Sequence, residues 1–316
     1  MTMIADVFFP SHGESCAAWH LAGEGEAFAG EGGRPCVVMA HGFGGTKDSG
    51  PLPFAEAFAE AGLDVLLFDY RCFGESTGEP RQLAWPARHR EDYAAGVEFA
   101  RGLDDVDPDR IVLWGTSWSG GHVVYVAADD PRIAAVISQT PDVDGLRTLR
   151  EIGKYAGLGQ QLRVTLVGIK DALRMRRGEE PLMLPTVGRP GELAAMTSEE
   201  SEPGMRAIAG PSWRNEVTGR AVFAEWTNRA ITRMDKLRSP ILVLIADRDS
   251  VAPPAAARAA AWRAKGRVEV REYPCLHYDI YVGEWRERSI ADQLHFLRRH
   301  LSAAEAREPA ALSSET

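Results

Sequence analysis

The chain is short of the features that mark secreted, membrane-spanning and nucleic-acid-binding proteins. It has four cysteines, at positions 16, 36, 72 and 275, and no Cys-X-X-Cys pair among them. That usage argues against a disulfide scaffold or a zinc site and leads us to expect a reduced, cytoplasmic protein. Positive charge is also scarce: 36 Lys and Arg stand against 45 Asp and Glu, a net −9. With no basic stripe interleaved with aromatics, neither nucleic acid nor an anionic membrane is expected as the main partner. No apolar run approaches the roughly 18 residues that span a bilayer. The first residues, Met1-Thr2-Met3-Ile4-Ala5-Asp6-Val7, lack a basic segment and reach an acid early, so no signal peptide is expected. We find no internal repeat and no metal-ligand spacing among the histidines, and hence expect no metal and no cofactor.

What is present is an ordinary globular composition, 45% apolar and 26% charged, in 316 residues, enough for one large domain or two. Met3–Phe9 and Cys16–Leu21 read as a hairpin joined by Pro10-Ser11-His12-Gly13, followed by a Gly- and Glu-rich surface loop over 23–34. Continuous apolar runs at 36–40, 65–68, 110–114, 133–137 and 241–245, with another strand at 268–273, have the character of strands covered on both faces. Helices are expected between them, over 52–61, 87–101, 253–264 and 284–301. Strands alternating with helices predict an α/β fold with a mostly parallel sheet and right-handed crossovers. The rhythm lapses over 141–238, where helical stretches alternate with Gly/Pro-rich breaks at 178–191 and 203–211. We therefore divide the chain into a core over 1–140 and 239–302, a helical insertion over 141–238, and a frayed tail over 303–316.

The most informative stretch is Gly115 to His122, GTSWSGGH, between the run ending at Trp114 and the small-residue segment from Val123. A strand, a sharp glycine-flanked turn and a helix is the setting in which Gly-X-Ser-X-Gly exposes a serine hydroxyl above a parallel sheet. Ser117 is the candidate nucleophile. Ser119 replaces the usual second glycine, a position that needs only a small side chain. A helix-capping serine is the alternative reading of the same turn.

A serine needs a base, and the base an orienting group. On this architecture the order is Ser, then Asp or Glu, then His. Asp247 and Asp249 follow the strand at 241–245, and His277 follows the strand at 268–273. Asp249, four residues before Pro253, is the better placed to turn back toward His277, with Asp247 open and Asp142 or Asp144 more remote. His122, on the helix after the turn, is read as packing, and so is Cys275. Developing oxyanions need backbone donors. Phe43, in His41-Gly42-Phe43-Gly44-Gly45, and Trp118, after the nucleophile, would supply them, with His41 holding the loop. That loop lacks the Gly-X-Gly-X-X-Gly spacing of a dinucleotide site.

These strings, with FDYRCFGES at 68–76, ADRDSVAP at 246–253 and CLHYDIY at 275–281, resemble the α/β-hydrolase superfamily from about 35 to 301, much of 145–235 excepted. Within it they are similar to bacterial serine hydrolases of the dienelactone-hydrolase and acyl-peptidase-like branch. The resemblance implies an eight-stranded sheet, a Ser-Asp-His triad and a cap over the cleft. In the insertion, Leu162, Leu166, Ile169 and Leu173 are expected to pack on the core. Arg174, Arg176 and Arg177 are expected in solvent, and Trp213 and Trp226 are candidate walls of an acyl pocket. The expected activity is cleavage of a small-molecule carboxylic ester, lactone or thioester through an acyl-enzyme, with a homodimer left open. A peptidase or amidase, or a ligand-binding protein on a hydrolase scaffold, are the rival readings.

Overall fold

The longest strand, β5 (Val106–Thr116), lies near the middle of the sheet and carries the serine turn at its carboxyl end. Its Ile111–Thr116 half is buried on both faces, which is why the sequence there reads as an unbroken apolar run. A computed structural model describes residues 3–301, so the tail expected over 303–316 lies outside the described residues. Around β5 stand β1 (Ile4–Ser11), β2 (Glu14–Leu21), β3 (Arg34–Ala40), β4 (Asp64–Phe68), β6 (Ile133–Gln139), β9 (Ile241–Ala246) and β10 (Val268–Tyr273). They form an eight-stranded sheet in the order β1-β2-β4-β3-β5-β6-β9-β10, in which β2 alone runs against its neighbours. The fold class expected from the sequence is therefore observed.

Two apolar layers bury the sheet. Helices α1 (Leu52–Glu60) and α7 (Gly283–Leu301) cover one face through Phe54, Phe58, Phe296 and Leu297. Helices α2 (Pro86–Arg101), α3 (Trp118–Asp129) and α6 (Pro254–Arg263) cover the other through Tyr93, Val97, Val123, Val124 and Ala257. Each large aliphatic or aromatic side chain buried in these layers contributes about 1.5–3 kcal/mol. The opening hairpin is longer than expected. Its strands meet at His12-Gly13, both with positive φ (48° and 87°), so Pro10 is absorbed into β1. A proline is tolerated there because β1 is an edge strand.

Between β6 and β9 lie α4 (Gly145–Arg176), a two-residue pair β7 (Met183–Leu184) and β8 (Val217–Thr218), α5 (Ser201–Ile208) and a series of short 3-10 turns. Two expectations fail here. The break expected at 203–211 is in large part helix α5, because Pro203 falls in its first turn, where no backbone N–H is needed. The apolar stripe on α4 does not pack on the core: Leu162, Leu166, Ile169 and Leu173 are 61%, 45%, 44% and 42% exposed. The buried face carries Gln160, Gly168 and Asp171 instead. The Asp171 carboxylate accepts hydrogen bonds from Leu182 N (2.8 Å), Arg220 N (2.9 Å) and Arg220 Nη1 (3.1 Å), and Gly168 lets Val222 and Phe223 approach. A buried polar anchor thus sets the helix rotation and turns the leucines outward. A break in helical geometry at Gly157 (φ 73°, ψ 166°) divides α4.

Candidate active site

Ser117 occupies the single residue between β5 and α3, with φ 56° and ψ −121°. That conformation is sparsely populated for a residue with a Cβ and persists only where the surroundings enforce it. Here they do so through the backbone. Ser117 N donates to Gln139 O (2.8 Å), and Ser117 O accepts from Gly120 N (3.0 Å) and Asp142 N (2.9 Å). Gly115 is required because a Cβ there would overlap the Ser119 carbonyl. Ser119, the departure from Gly-X-Ser-X-Gly, is fully buried. Its hydroxyl oxygen accepts from Thr116 N (2.8 Å) and lies 3.0 Å from Ala40 O, tying the turn to β3.

The loops after β9 and β10 bring the other two side chains to this turn. His277 Nε2 is 3.1 Å from Ser117 Oγ, and His277 Nδ1 donates to Asp249 Oδ2 at 2.5 Å. The second oxygen of Asp249 accepts from Val251 N and Ala252 N, both at 2.7 Å, which fixes the carboxylate in the loop. Asp247 points away and pairs with Arg258 on the surface. Asp144 pairs with Arg229 (2.8 Å). Burial opposes a charge on His277, but Asp249, joined by the more distant Glu200 and Asp142, outweighs it and raises the imidazole above its ordinary value. Such a series of hydroxyl, imidazole and carboxylate can move a proton off the hydroxyl and hold the resulting imidazolium.

The loop after β3 closes over the serine. A Cβ on Gly42 would lie 3.0 Å from Ser117 Cβ, closer than ordinary side-chain contact, so a larger residue there would press on the nucleophile. The Phe43 ring packs edge-on against Trp118, centroids 5.1 Å apart. His41 is buried, its Nδ1 2.9 Å from Gly42 O, and burial lowers its basicity. Lys47, next along, is buried with Asp69 (Nζ–Oδ2 3.1 Å) and also reaches Glu75, both from the 68–76 string. His122 is wholly buried against Trp118, centroids 4.7 Å apart, and burial keeps it neutral. Cys275 is buried in the core, its thiol pushed up to about 12.

Ser117 opens on a cavity of about 590 Å³ that Phe43, Trp118, Leu149, Ile152, Val164 and Trp226 line with others. On its other side a recess of about 30 Å³ lies between Ser117, His277, Met205 and Tyr278. Trp226 does wall the larger cavity, while Trp213 instead donates from Nε1 to Gly44 O (3.0 Å). Arg174, Arg176 and Arg177 stand away from this lining. The sequence reading misses Glu225 and Glu200, and takes Asp142 only as a remote candidate for the triad acid. Asp142 and Glu225 face each other at the cavity wall, and burial raises both carboxyls, Glu225 well above the usual range with Asp142 adding to the effect. Glu200 meets the loops of Asp249 and His277. Neither glutamate carries a local sequence signal. No cluster of three or more His, Cys, Asp or Glu among the described residues is arranged to hold a metal ion. No helix among them is long and apolar enough to cross a membrane.

The fold is that of a known family of enzymes. Residues 35–284 match the family model described as the alpha/beta hydrolase fold, and the chain belongs to that family. Among its relatives is the quorum-quenching protein AidA of Acinetobacter baumannii, 36% identical over 296 residues, 93% of this chain and 94% of AidA. The thiohydrolase aneE of Aspergillus aculeatus is 31% identical over 72% of this chain and 74% of its own length. Among solved structures, the DcsB complex with its substrate analogue superposes with a TM-score of 0.79 at 22% identity, covering 95% of this chain and 99% of DcsB. That last likeness concerns the fold.

Proposed function

We propose that the protein is a serine hydrolase that cleaves a carboxylic ester, lactone or thioester of a small molecule through an acyl-enzyme. The observation that carries this reading is the hydrogen-bonded series from Ser117 through His277 to Asp249, opening on a largely apolar cavity. Ser117 Oγ attacks the substrate carbonyl while His277 Nε2 takes its proton. Asp249 holds the imidazole with Nδ1 protonated and stabilises the imidazolium. The Phe43 and Trp118 amides receive the developing oxyanion, each worth roughly 10²–10³ in rate. His277 then returns the proton to the leaving alcohol or thiol. Water, deprotonated by the same imidazole, releases the acid. The segment between β6 and β9 serves as the cap, and its α4 and Trp226 form the cavity wall that selects the acyl group. The relative named thiohydrolase supports a reading that extends from oxygen esters to thioesters.

The test is a p-nitrophenyl ester and acyl-thioester series on the wild type and Ser117→Ala, with the acyl-enzyme trapped for mass spectrometry. A chain-length optimum in the wild type, an adduct on Ser117, and loss of turnover by several orders of magnitude in Ser117→Ala are expected. Near-normal cleavage by Ser117→Ala would refute the assignment. Neither turnover nor fluorophosphonate labelling of the wild type would favour a ligand-binding protein.

A further inference from the structure

Glu200 stands at the start of α5, 7% exposed, in the segment between β6 and β9. Ser198 and Ser201 shape the turn that carries it, their hydroxyls 2.7 Å apart and Ser201 N donating to Ser198 O at 3.0 Å. Glu200 Oε1 accepts from Ser250 N (2.7 Å) and Ser250 Oγ (2.6 Å), and Oε2 accepts from His277 N (2.7 Å). One carboxylate therefore joins the residue after Asp249 to His277 itself, across sequence separations of 50 and 77 residues. Asp249 and His277 sit on separate loops that are joined by their own hydrogen bond and by Arg248 N donating to Cys275 O (3.1 Å), and Glu200 adds a link that comes from outside both loops.

We infer that Glu200 is a positioning residue of the Ser117 site, a clamp donated by the inserted segment that holds the Asp249 and His277 loops at hydrogen-bonding distance. The inference rests on the serine-hydrolase reading. Two separable effects follow from the geometry. The span of the side chain fixes the loops, and misplacing a reacting group by about 1 Å is worth roughly 10² in rate. The charge acts on the imidazole as well. The groups that face His277 are Asp249 on the β9 loop, Glu200 on α5, Asp142 on the β6 loop, Ser117 on the turn and the Tyr278 ring on its own loop. The carboxylates among them favour imidazolium, so removing one weakens the base. Because the clamp comes from the insertion, the site is complete only when that segment is seated.

The experiment compares wild type, Glu200→Gln and Glu200→Asp for fluorophosphonate labelling rate and ester kcat and KM between about pH 5 and 9, the range over which an imidazole base titrates, with Tm recorded in parallel. Glu200→Gln keeps the length and loses the charge, and because its amide nitrogen cannot accept a hydrogen bond it also gives up one end of the clamp. Its acid limb moves to lower pH by about half a unit to one unit, and its plateau kcat falls roughly ten- to a hundredfold with KM little changed. Glu200→Asp keeps the charge and loses the span, so its plateau falls while its acid limb stays with the wild type. An acid limb that Glu200→Gln leaves in place overturns the inference, whatever happens to the plateau. Should Glu200→Gln not fold, an undiminished plateau in Glu200→Asp overturns it equally. Failure of the wild type itself to label at Ser117 would instead refute the serine-hydrolase reading.

Discussion

Ser117 is held at φ 56° and ψ −121°, and that strain can be measured by comparing two inactive variants, Ser117→Ala and Ser117→Gly. Both lack the hydroxyl, so loss of the bond to His277 cancels between them. Alanine keeps the Cβ that makes this backbone conformation unfavourable, by about 1–3 kcal/mol for residues so placed. Glycine adopts it freely but loses more conformational entropy on folding, about 0.5–1 kcal/mol. The Cβ contacts offset a few tenths of a kcal/mol more at about 0.1–0.2 kcal/mol per atom pair. The balance leaves Ser117→Gly more stable than Ser117→Ala by about 1 kcal/mol, or about 2 °C in Tm for a chain of this size. Urea unfolding followed by circular dichroism, with calorimetry in parallel, reads the difference directly. A glycine variant less stable than the alanine variant by about 1 kcal/mol, the sum of the entropy and contact losses alone, would show that the turn stores no strain, and the backbone argument for a specialised serine would fail.

Four further outcomes are expected. Asp249→Asn lowers kcat by about 10³–10⁴, as loss of the orienting carboxylate does elsewhere, while Asp247→Asn, on the surface with Arg258, stays within about twofold; the reverse order in steady-state ester kinetics would reassign the acid. Asp171→Ala strands two backbone N–H groups and the Arg220 guanidinium, and costs about 3 kcal/mol in denaturant unfolding; a loss below about 0.5 kcal/mol would contradict its role as the anchor of α4. Leu162→Gln and Leu166→Gln each change stability by no more than about 0.5 kcal/mol, because both side chains are exposed, and losses of about 2 kcal/mol or more would place them in a packed interface. The base must be neutral to act, and His277 is raised from its ordinary 6.5, so kcat/KM falls with pH through a midpoint above 6.5. The same shift stabilises the fold at pH below 6.5, a contribution lost as pH rises through the folded value; a kinetic midpoint below 6.5 would mean that desolvation outweighs the carboxylates.

The parts of this chain that could be read from sequence are those where a backbone demand admits few residue types. Gly115 stands where a Cβ would collide with Ser119 and Gly42 where one would crowd Ser117, and β3 to β6 and β9 are covered on both faces and so carry unbroken apolar runs. Hence the sheet, the serine turn and the loop ends bearing Asp249 and His277 were all legible. The segment between β6 and β9 obeys a different logic. On α4 the spacing of Leu162, Leu166, Ile169 and Leu173 predicts a buried face, on the general rule that apolar faces turn inward. The helix is rotated by Asp171, whose three hydrogen bonds to Leu182 and Arg220 close across β7 and β8. Glu200 escapes notice for the same reason. Two of its three donors are backbone N–H groups on loops 50 and 77 residues away, which any sequence would present, and the third is the common hydroxyl of Ser250, so nothing near Ser250 or His277 announces a carboxylate. A residue that shapes its own turn leaves a local pattern, whereas one that satisfies distant donors leaves none. Polar residues buried in an otherwise unpatterned insertion are therefore where positioning groups for a site on the core should be sought.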